Sequence, residues 1–273
     1  MPTLQDKAAH FLDLHRQPGA FIIPNPWDVG TARILARTGF KALATTSAGF
    51  AFSIGLRDST VSRGDMLNHV RQIAGATDLP VSADLESGFG STLELVDETF
   101  RLAGETGIVG GSIEDSTGVP GAPIFDVALA SERVQAAVAS VRRLPFHFTL
   151  TARCENFLHG RKDLSDTISR LQKYQEAGAD VLYAPGLIAS DDIATVVRSV
   201  DRPVNVLAGL DGMVLSAAQL SDLGVKRISV GSALSKAALG TFVGAAREMM
   251  AAGTFDFAKS ALSSRDANAM FDP

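Results

Sequence analysis

Val81-Ser-Ala-Asp-Leu-Glu-Ser-Gly-Phe-Gly90 is a short apolar run that ends in two acidic residues and then breaks into glycines. The run has the length of a buried strand, and the glycines mark its stop. Side chains alternate along a strand, so Asp84 and Glu86 are expected to point the same way at its carboxyl end. Two like charges side by side repel unless a cation sits between them, and carboxylate oxygens are the ligands Mg²⁺ prefers. A strand that merely enters a polar turn is also rich in Asp, Glu and Gly, so the segment alone leaves both readings open.

Working outward, the same unit recurs. Strands are expected at Ala20–Pro24, Lys41–Thr46, Leu79–Asp84, Ile108–Ile113, Phe146–Thr151, Asp180–Tyr183, Val204–Leu207 and Arg227–Val230. Helical spacing of apolar residues marks the intervals between them, for example Val29–Thr38, Leu93–Glu105, Val127–Arg143 and Leu164–Ala177, with Lys236–Met250 closing the series. Asp28 stands where it can cap the first of these helices. Eight strands, each followed by a helix, imply a parallel sheet covered by helices and favour a closed (β/α)8 TIM-type barrel over an open sheet. No linker-like break interrupts the pattern, so residues 1–273 read as one barrel domain with an N-terminal helix (Met1–Pro18) and a polar C-terminal tail from Thr254. The tail is expected either to pack on a neighbouring subunit or to fray.

Charge narrows the partners. A net charge of −5 gives no electrostatic case for nucleic acid or an anionic membrane surface. The charged residues of the N-terminal helix exclude a signal-peptide core, and no run approaches the roughly 20 apolar residues of a membrane span. The single cysteine, Cys154, excludes an internal disulfide and a multi-cysteine zinc site and is compatible with a reducing cytoplasm.

Barrel active sites lie at the carboxyl ends of the strands. There this chain places Thr45-Thr-Ser-Ala-Gly49, Asp84 and Glu86, Ile113-Glu-Asp115, and Thr151-Ala-Arg-Cys-Glu155. Backbone N–H groups of the small residues can receive an anionic oxygen, although a tight turn asks for the same residues. Carboxylates from two adjoining strands facing one mouth require a counter-ion, which a divalent metal supplies, and Arg153 can grip a substrate carboxylate bidentately.

In these motifs the chain resembles the isocitrate lyase and phosphoenolpyruvate mutase superfamily. The resemblance runs from Phe21 to about Ala246 through Asn25-Pro-Trp-Asp28, Gly55-Leu-Arg-Asp58, Asp84-x-Glu86-x-Gly88-Phe-Gly90, Ile113-Glu-Asp115, Ala152-Arg153 and Ala177-Gly-Ala-Asp180, in the family's order. It implies a (β/α)8 barrel whose last helix is usually exchanged between subunits, a homodimer or homotetramer, and Mg²⁺, with Mn²⁺ a substitute. It further implies that Asp84, Glu86 and Glu114 hold the metal and that Arg153 clamps the substrate carboxylate. Thr46, Ser47 and Ala48 would receive another substrate oxygen, and Asp58 would act close to the metal, although by sequence alone Asp58 reads first as a cap or a surface charge. Tyr183, where relatives carry histidine or glutamate, either orients a bound acid or packs.

The departures matter as much. The family's lyases carry a catalytic cysteine in a loop that here reads Ser116-Thr-Gly-Val-Pro-Gly-Ala-Pro123, and that loop offers no acid or base. Cys154 follows the wrong strand to replace the thiol and reads as a packed residue. The activity expected is therefore Mg²⁺-dependent cleavage of a C–C bond in a small 2-oxo or 2-hydroxy di- or tricarboxylic acid through a metal-stabilised enolate, by a lyase or decarboxylase, with Arg153, Asp58 and Glu114 as the catalytic residues. A phosphonate C–P mutase or hydrolase, or a 2-oxo acid binder of low turnover, is the alternative.

Overall fold

The computed structural model describes residues 2–271. Met1, Asp272 and Pro273, at the outer ends of the expected N-terminal helix and polar tail, lie outside them. The elements in chain order are α1 (Leu4–Leu14), β1 (Phe21–Ile23), α2 (Val29–Arg37), β2 (Leu43–Ala44), α3 (Ser47–Ser53), α4 (Arg63–Gly75) and β3 (Val81–Asp84). They continue through α5 (Leu93–Gly104), β4 (Gly110–Glu114), α6 (Val127–Val141), β5 (Thr149–Arg153), α7 (Leu164–Glu176), β6 (Val181–Tyr183) and α8 (Ser190–Arg198). The chain closes with β7 (Val204–Leu207), α9 (Ala217–Asp222), β8 (Arg227–Ser229), α10 (Ala233–Ala252), a 3-10 turn at Asp256–Ser260 and α11 (Ser264–Ala269).

All eight strands pair in parallel in the order β1-β8-β7-β6-β5-β4-β3-β2. The eighth junction, between β1 and β2, has no ladder. It is bridged by the Ala44 N–H donating to the Pro24 carbonyl at 3.0 Å and by the Asn25 side chain. The sheet is therefore a nearly closed barrel with one thin seam. Alternation sorts the side chains: Leu150, Ala152 and Cys154 go outward into the core shared with the helices, while Thr151 and Arg153 go inward. Strand β5 lies a few residues later than expected, which makes Arg153 its last residue rather than a loop residue.

The amino-terminal end of the barrel is plugged by α1. Phe11 is fully buried with Leu14, Ile23 and Val109, and Gly110 makes room for it, since a Cβ there would meet Phe11 at 2.8 Å and the Thr149 carbonyl oxygen at 2.9 Å. Asp28 caps α2 as expected, its carboxylate accepting the Thr31 N–H at 2.7 Å. Helix α10, although 20 residues long, buries only Ser235, while Phe242 and Met250 are 70% and 89% exposed. The C-terminal segment folds back on its own chain, where Arg37 donates to the Ala269 carbonyl at 2.9 Å.

Candidate active site

Strand β3 stops at Asp84, because the next turn winds through left-handed conformations at Glu86 (φ 49°), Gly88 (φ 90°) and Phe89 (φ 53°). The expected pleat relation between Asp84 and Glu86 is therefore replaced by a local turn, in which the Glu86 N–H lies 3.3 Å from Asp84 Oδ1. The turn is fastened from outside: Arg133 Nη2 donates to the Ser87 and Gly90 carbonyls at 2.6 and 2.7 Å, and Thr99 Oγ1 donates to the Gly88 carbonyl at 2.7 Å.

Arg153 lies at the centre of the rim. Its Nη1 donates to Asp84 Oδ1 at 2.9 Å, its Nη2 lies 3.1 Å from Glu114 Oε2, and its Nε donates to Glu155 Oε1 at 2.9 Å. A guanidinium has five N–H donors, so three partners leave two for a ligand. Burial disfavours its charge, but Glu155, Glu114 and Asp84 outweigh that and hold it cationic. Glu155, two residues beyond Arg153 along the same face, is a site residue to which sequence reasoning assigned no role; the i, i+2 spacing was its only signal.

The carboxylates outnumber the cation. Burial, then repulsion from Asp84 and Asp58, pushes Glu86 up to about 8, and burial lifts Glu114 well above the usual carboxylate range against the pull of Arg153. On the open rim, partial desolvation and then Asp84 raise Asp58. Glu86 Oε1 is buried with no hydrogen-bond partner among the described residues. Hard oxygens crowded together, one of them orphaned, are a donor set that suits a divalent cation such as Mg²⁺. Among the described residues, however, no three His, Cys, Asp or Glu side chains converge tightly enough to enclose an ion. Arg153 stands between Asp84 and Glu114.

A cavity of about 180 Å³ opens at this rim and continues into the barrel. Asp84, Asp58, Arg153, Tyr183, Thr46, Ser47 and Ala48 all line it, whereas Glu86 and Glu114 stand behind its wall. Thr46–Ala48 is no simple loop, because Thr46 caps α3 and accepts the Gly49 N–H. Ser47 gives both its N–H and its hydroxyl to Asp84 Oδ2, at 3.2 and 2.9 Å, and so orients that carboxylate. The ring of Tyr183 lies 5.4 Å from the Arg153 guanidinium carbon.

Asp115, grouped with the rim by sequence, turns away from it. It accepts from Tyr174 Oη at 2.6 Å, Arg170 Nη1 at 3.2 Å and the Glu155 N–H at 2.8 Å, and so supports β5 from behind. Cys154 is fully buried beside this group, and burial pushes its thiol pKa up, which fits a packed residue. The loop at 116–123 still presents no acid or base, but Ser116 Oγ lies 3.4 Å from Nε2 of His159, an exposed residue. Asn25, which opens the Asn25-Pro-Trp-Asp28 motif, is a further residue to which sequence reasoning assigned no role. Its Nδ2 donates to the Thr45 carbonyl, and its Oδ1 accepts from the Val230 and Gly231 N–H groups, each at 2.9 Å.

Fold and site together define an acid-rimmed (β/α)8 barrel with one strand-end arginine set among carboxylates. The family model for phosphoenolpyruvate phosphomutase matches residues 11–250. A solved structure from Burkholderia cenocepacia, provisionally described as a lyase/mutase, is 57% identical, covers 99% of this chain and 97% of its own, and superposes with a TM-score of 0.96. An uncharacterized protein of Mycobacterium tuberculosis is 34% identical over 87% of each chain, and a probable 2-methylisocitrate lyase of Corynebacterium glutamicum is 27% identical over 84% of this chain and 74% of its own. The chain belongs to the phosphoenolpyruvate phosphomutase family, within the isocitrate lyase/PEP mutase superfamily that its motifs resemble.

Proposed function

We propose that the protein is a Mg²⁺-dependent carbon–carbon lyase or decarboxylase acting on a small 2-oxo or 2-hydroxy di- or tricarboxylic acid. The observation that carries this reading is Arg153, held cationic at the lip of a small cavity by Asp84, Glu114 and Glu155, with two N–H donors to spare. Asp84, Glu86 and Glu114 would hold the metal, or Mn²⁺ in its place, with Asp58 beside them. When bound, such an ion supplies Lewis-acid stabilisation of enolate charge. Arg153 grips the substrate carboxylate next to the reacting carbon. Ser47 keeps Asp84 aimed at the rim, while Thr46 and Ala48 border the substrate's other end. Burial raises the pKa values of Glu86 and Glu114, a shift that a bound cation would offset. No group of the 116–123 loop takes part, and decarboxylation of an oxaloacetate-like acid asks least of that loop.

Exposed apolar residues along α10 support a homodimer or homotetramer in which this helix is exchanged, with light scattering as the check. The compartment proposed is the cytoplasm, where Cys154 stays a thiol. Among the described residues no helix is long and apolar enough to cross a membrane.

The test incubates purified protein with Mg²⁺ and, separately, oxaloacetate, methylisocitrate, isocitrate, dimethylmalate and phosphonopyruvate, following pyruvate, glyoxylate and phosphate. Product from a carboxylic acid that is lost in Asp84→Ala and Arg153→Ala supports the reading. Phosphate release from phosphonopyruvate alone would move the protein to C–P chemistry, and metal-dependent binding without product would make it a binder.

A further inference from the structure

The cavity does not end at Arg153. Its wall descends the barrel through residues paired in register, Arg153 with Tyr183, Tyr183 with Asn205, and Asn205 with Arg227. Polar contacts follow the same path. Tyr183 Oη is 3.5 Å from Ser229 Oγ, Asn205 Nδ2 donates to Ser229 Oγ at 3.0 Å, and Arg227 Nε donates to Asn205 Oδ1 at 2.9 Å. All of these residues border the cavity.

Arg227 is only 5% exposed, yet among the described residues it has no carboxylate partner. Its Nη2 donates to Thr151 Oγ1 at 2.9 Å, and its Nη1 has no acceptor among the described residues. Burial lowers its pKa only to about 10, so it is cationic at neutral pH. A buried charge left unpaired is strongly disfavoured, and barrel interiors are ordinarily filled by branched apolar side chains. The contrast with Arg153 is direct: the upper guanidinium has three carboxylates, the lower one has none.

We propose that Arg227, with Asn205 and Ser229, forms a second anion subsite at the floor of the cavity, which takes the far carboxylate of a two-ended acid. The inference rests on the function proposed above, which assigns the near carboxylate to Arg153. The space agrees with it. A cavity of roughly 150 Å³ accommodates benzene, so this one, at about 180 Å³, suits an acid of a similar number of heavy atoms or slightly more. The two arginines stand three strand spacings apart, about 14 Å measured along the curved wall and less straight across, and their side chains reach inward from there. A compact acid with anionic groups at both ends bridges that interval, whereas an acid with one anionic end leaves the lower charge unanswered.

Calorimetry in Mg²⁺ buffer with three probes tests this: malate, its C4 monoamide, and oxalate. The wild-type protein is expected to prefer malate over the amide by at least about tenfold. Arg227→Gln is expected to erase that preference while leaving oxalate within about twofold, and Arg227→Lys to restore most of it. Equal binding of malate and its amide by wild type, or no binding of malate, overturns the subsite. So does an Arg227→Gln protein that loses all three probes alike, since that marks a structural role. If Arg227→Gln does not fold, the wild-type comparison of acid and amide still decides. Failure of oxalate to bind wild type counts against the Arg153 reading instead, and leaves the malate comparison standing for Arg227.

Discussion

Replacing Asn25 probes how the barrel is closed. This one side chain joins three strand ends: it donates to the Thr45 carbonyl after β2 and accepts the Val230 and Gly231 N–H groups after β8. Asn25→Ala strands three buried backbone groups, each worth about 1–3 kcal/mol when unsatisfied. The cavity beside them admits water, so the lower end applies, about 3 kcal/mol in all. Asn25→Asp is the sharper test. It keeps both accepted bonds but turns an acceptor toward the Thr45 carbonyl, at a cost of about 1–3 kcal/mol at pH 7. Protonation of the introduced carboxyl restores the donor. Burial and the facing Thr45 carbonyl favour the protonated form and are expected to outweigh the two N–H bonds that favour the anion. The folded-state pKa is therefore raised above the ordinary value near 3.9, and the variant's deficit grows as pH rises through that raised pKa and shrinks as pH falls toward the ordinary value. Urea unfolding of wild type and both variants at pH 7 and pH 5 measures this, with the background titration cancelling in the difference. Asn25→Ala is expected to show a deficit independent of pH, whereas Asn25→Asp should recover part of its deficit at pH 5. Equal deficits for Asn25→Asp at both pH values, or none for Asn25→Ala, would refute the assignment of Asn25 as the bond across the seam.

Burial, reinforced by Arg227, depresses the His15 pKa to about 3. Its contribution to stability is complete above the unfolded value of about 6.5 and is lost as pH falls toward 3, about 2 kcal/mol of it by pH 5. His15→Leu should flatten the pH dependence of urea unfolding between pH 6.5 and 5 by that amount. Tyr174→Phe removes the 2.6 Å bond to Asp115 and should cost about 1.5–3 kcal/mol, seen as a lowered melting temperature, while leaving Arg153 in place. Gly110→Ala forces a Cβ against Phe11 and should destabilise by about 1–3 kcal/mol, and Phe11→Leu in the same chain should recover part of the loss.

The barrel was legible because its strands are apolar and its helices amphipathic, two periods that do not mimic one another. Strand edges were less so. The Phe146–Thr151 expectation stopped short of Arg153 because a charged residue reads as the end of an apolar run, although at the barrel mouth it continues the strand. The rim was readable wherever charge appears at a strand end, as at Asp84, Glu114 and Arg153. Glu86 reached its place through a left-handed turn rather than a pleat, a conformation sequence does not announce for a glutamate. Asp115 was misplaced by one step of alternation, since a neighbour of Glu114 on a strand must face the other side. Asn25 and Arg227 act through groups distant in sequence, so the role of neither is legible locally, even though Asn25 opens a recognisable motif.

Cys154 gives this chain a built-in reporter. It is the only cysteine, it is fully buried, and it follows Arg153 directly at the end of β5. A thiol reagent can reach it only when that part of the barrel opens. The labelling rate of the unmodified protein, measured with and without an acid in the cavity, therefore reads how firmly a ligand locks the strand that carries Arg153, with no engineered probe.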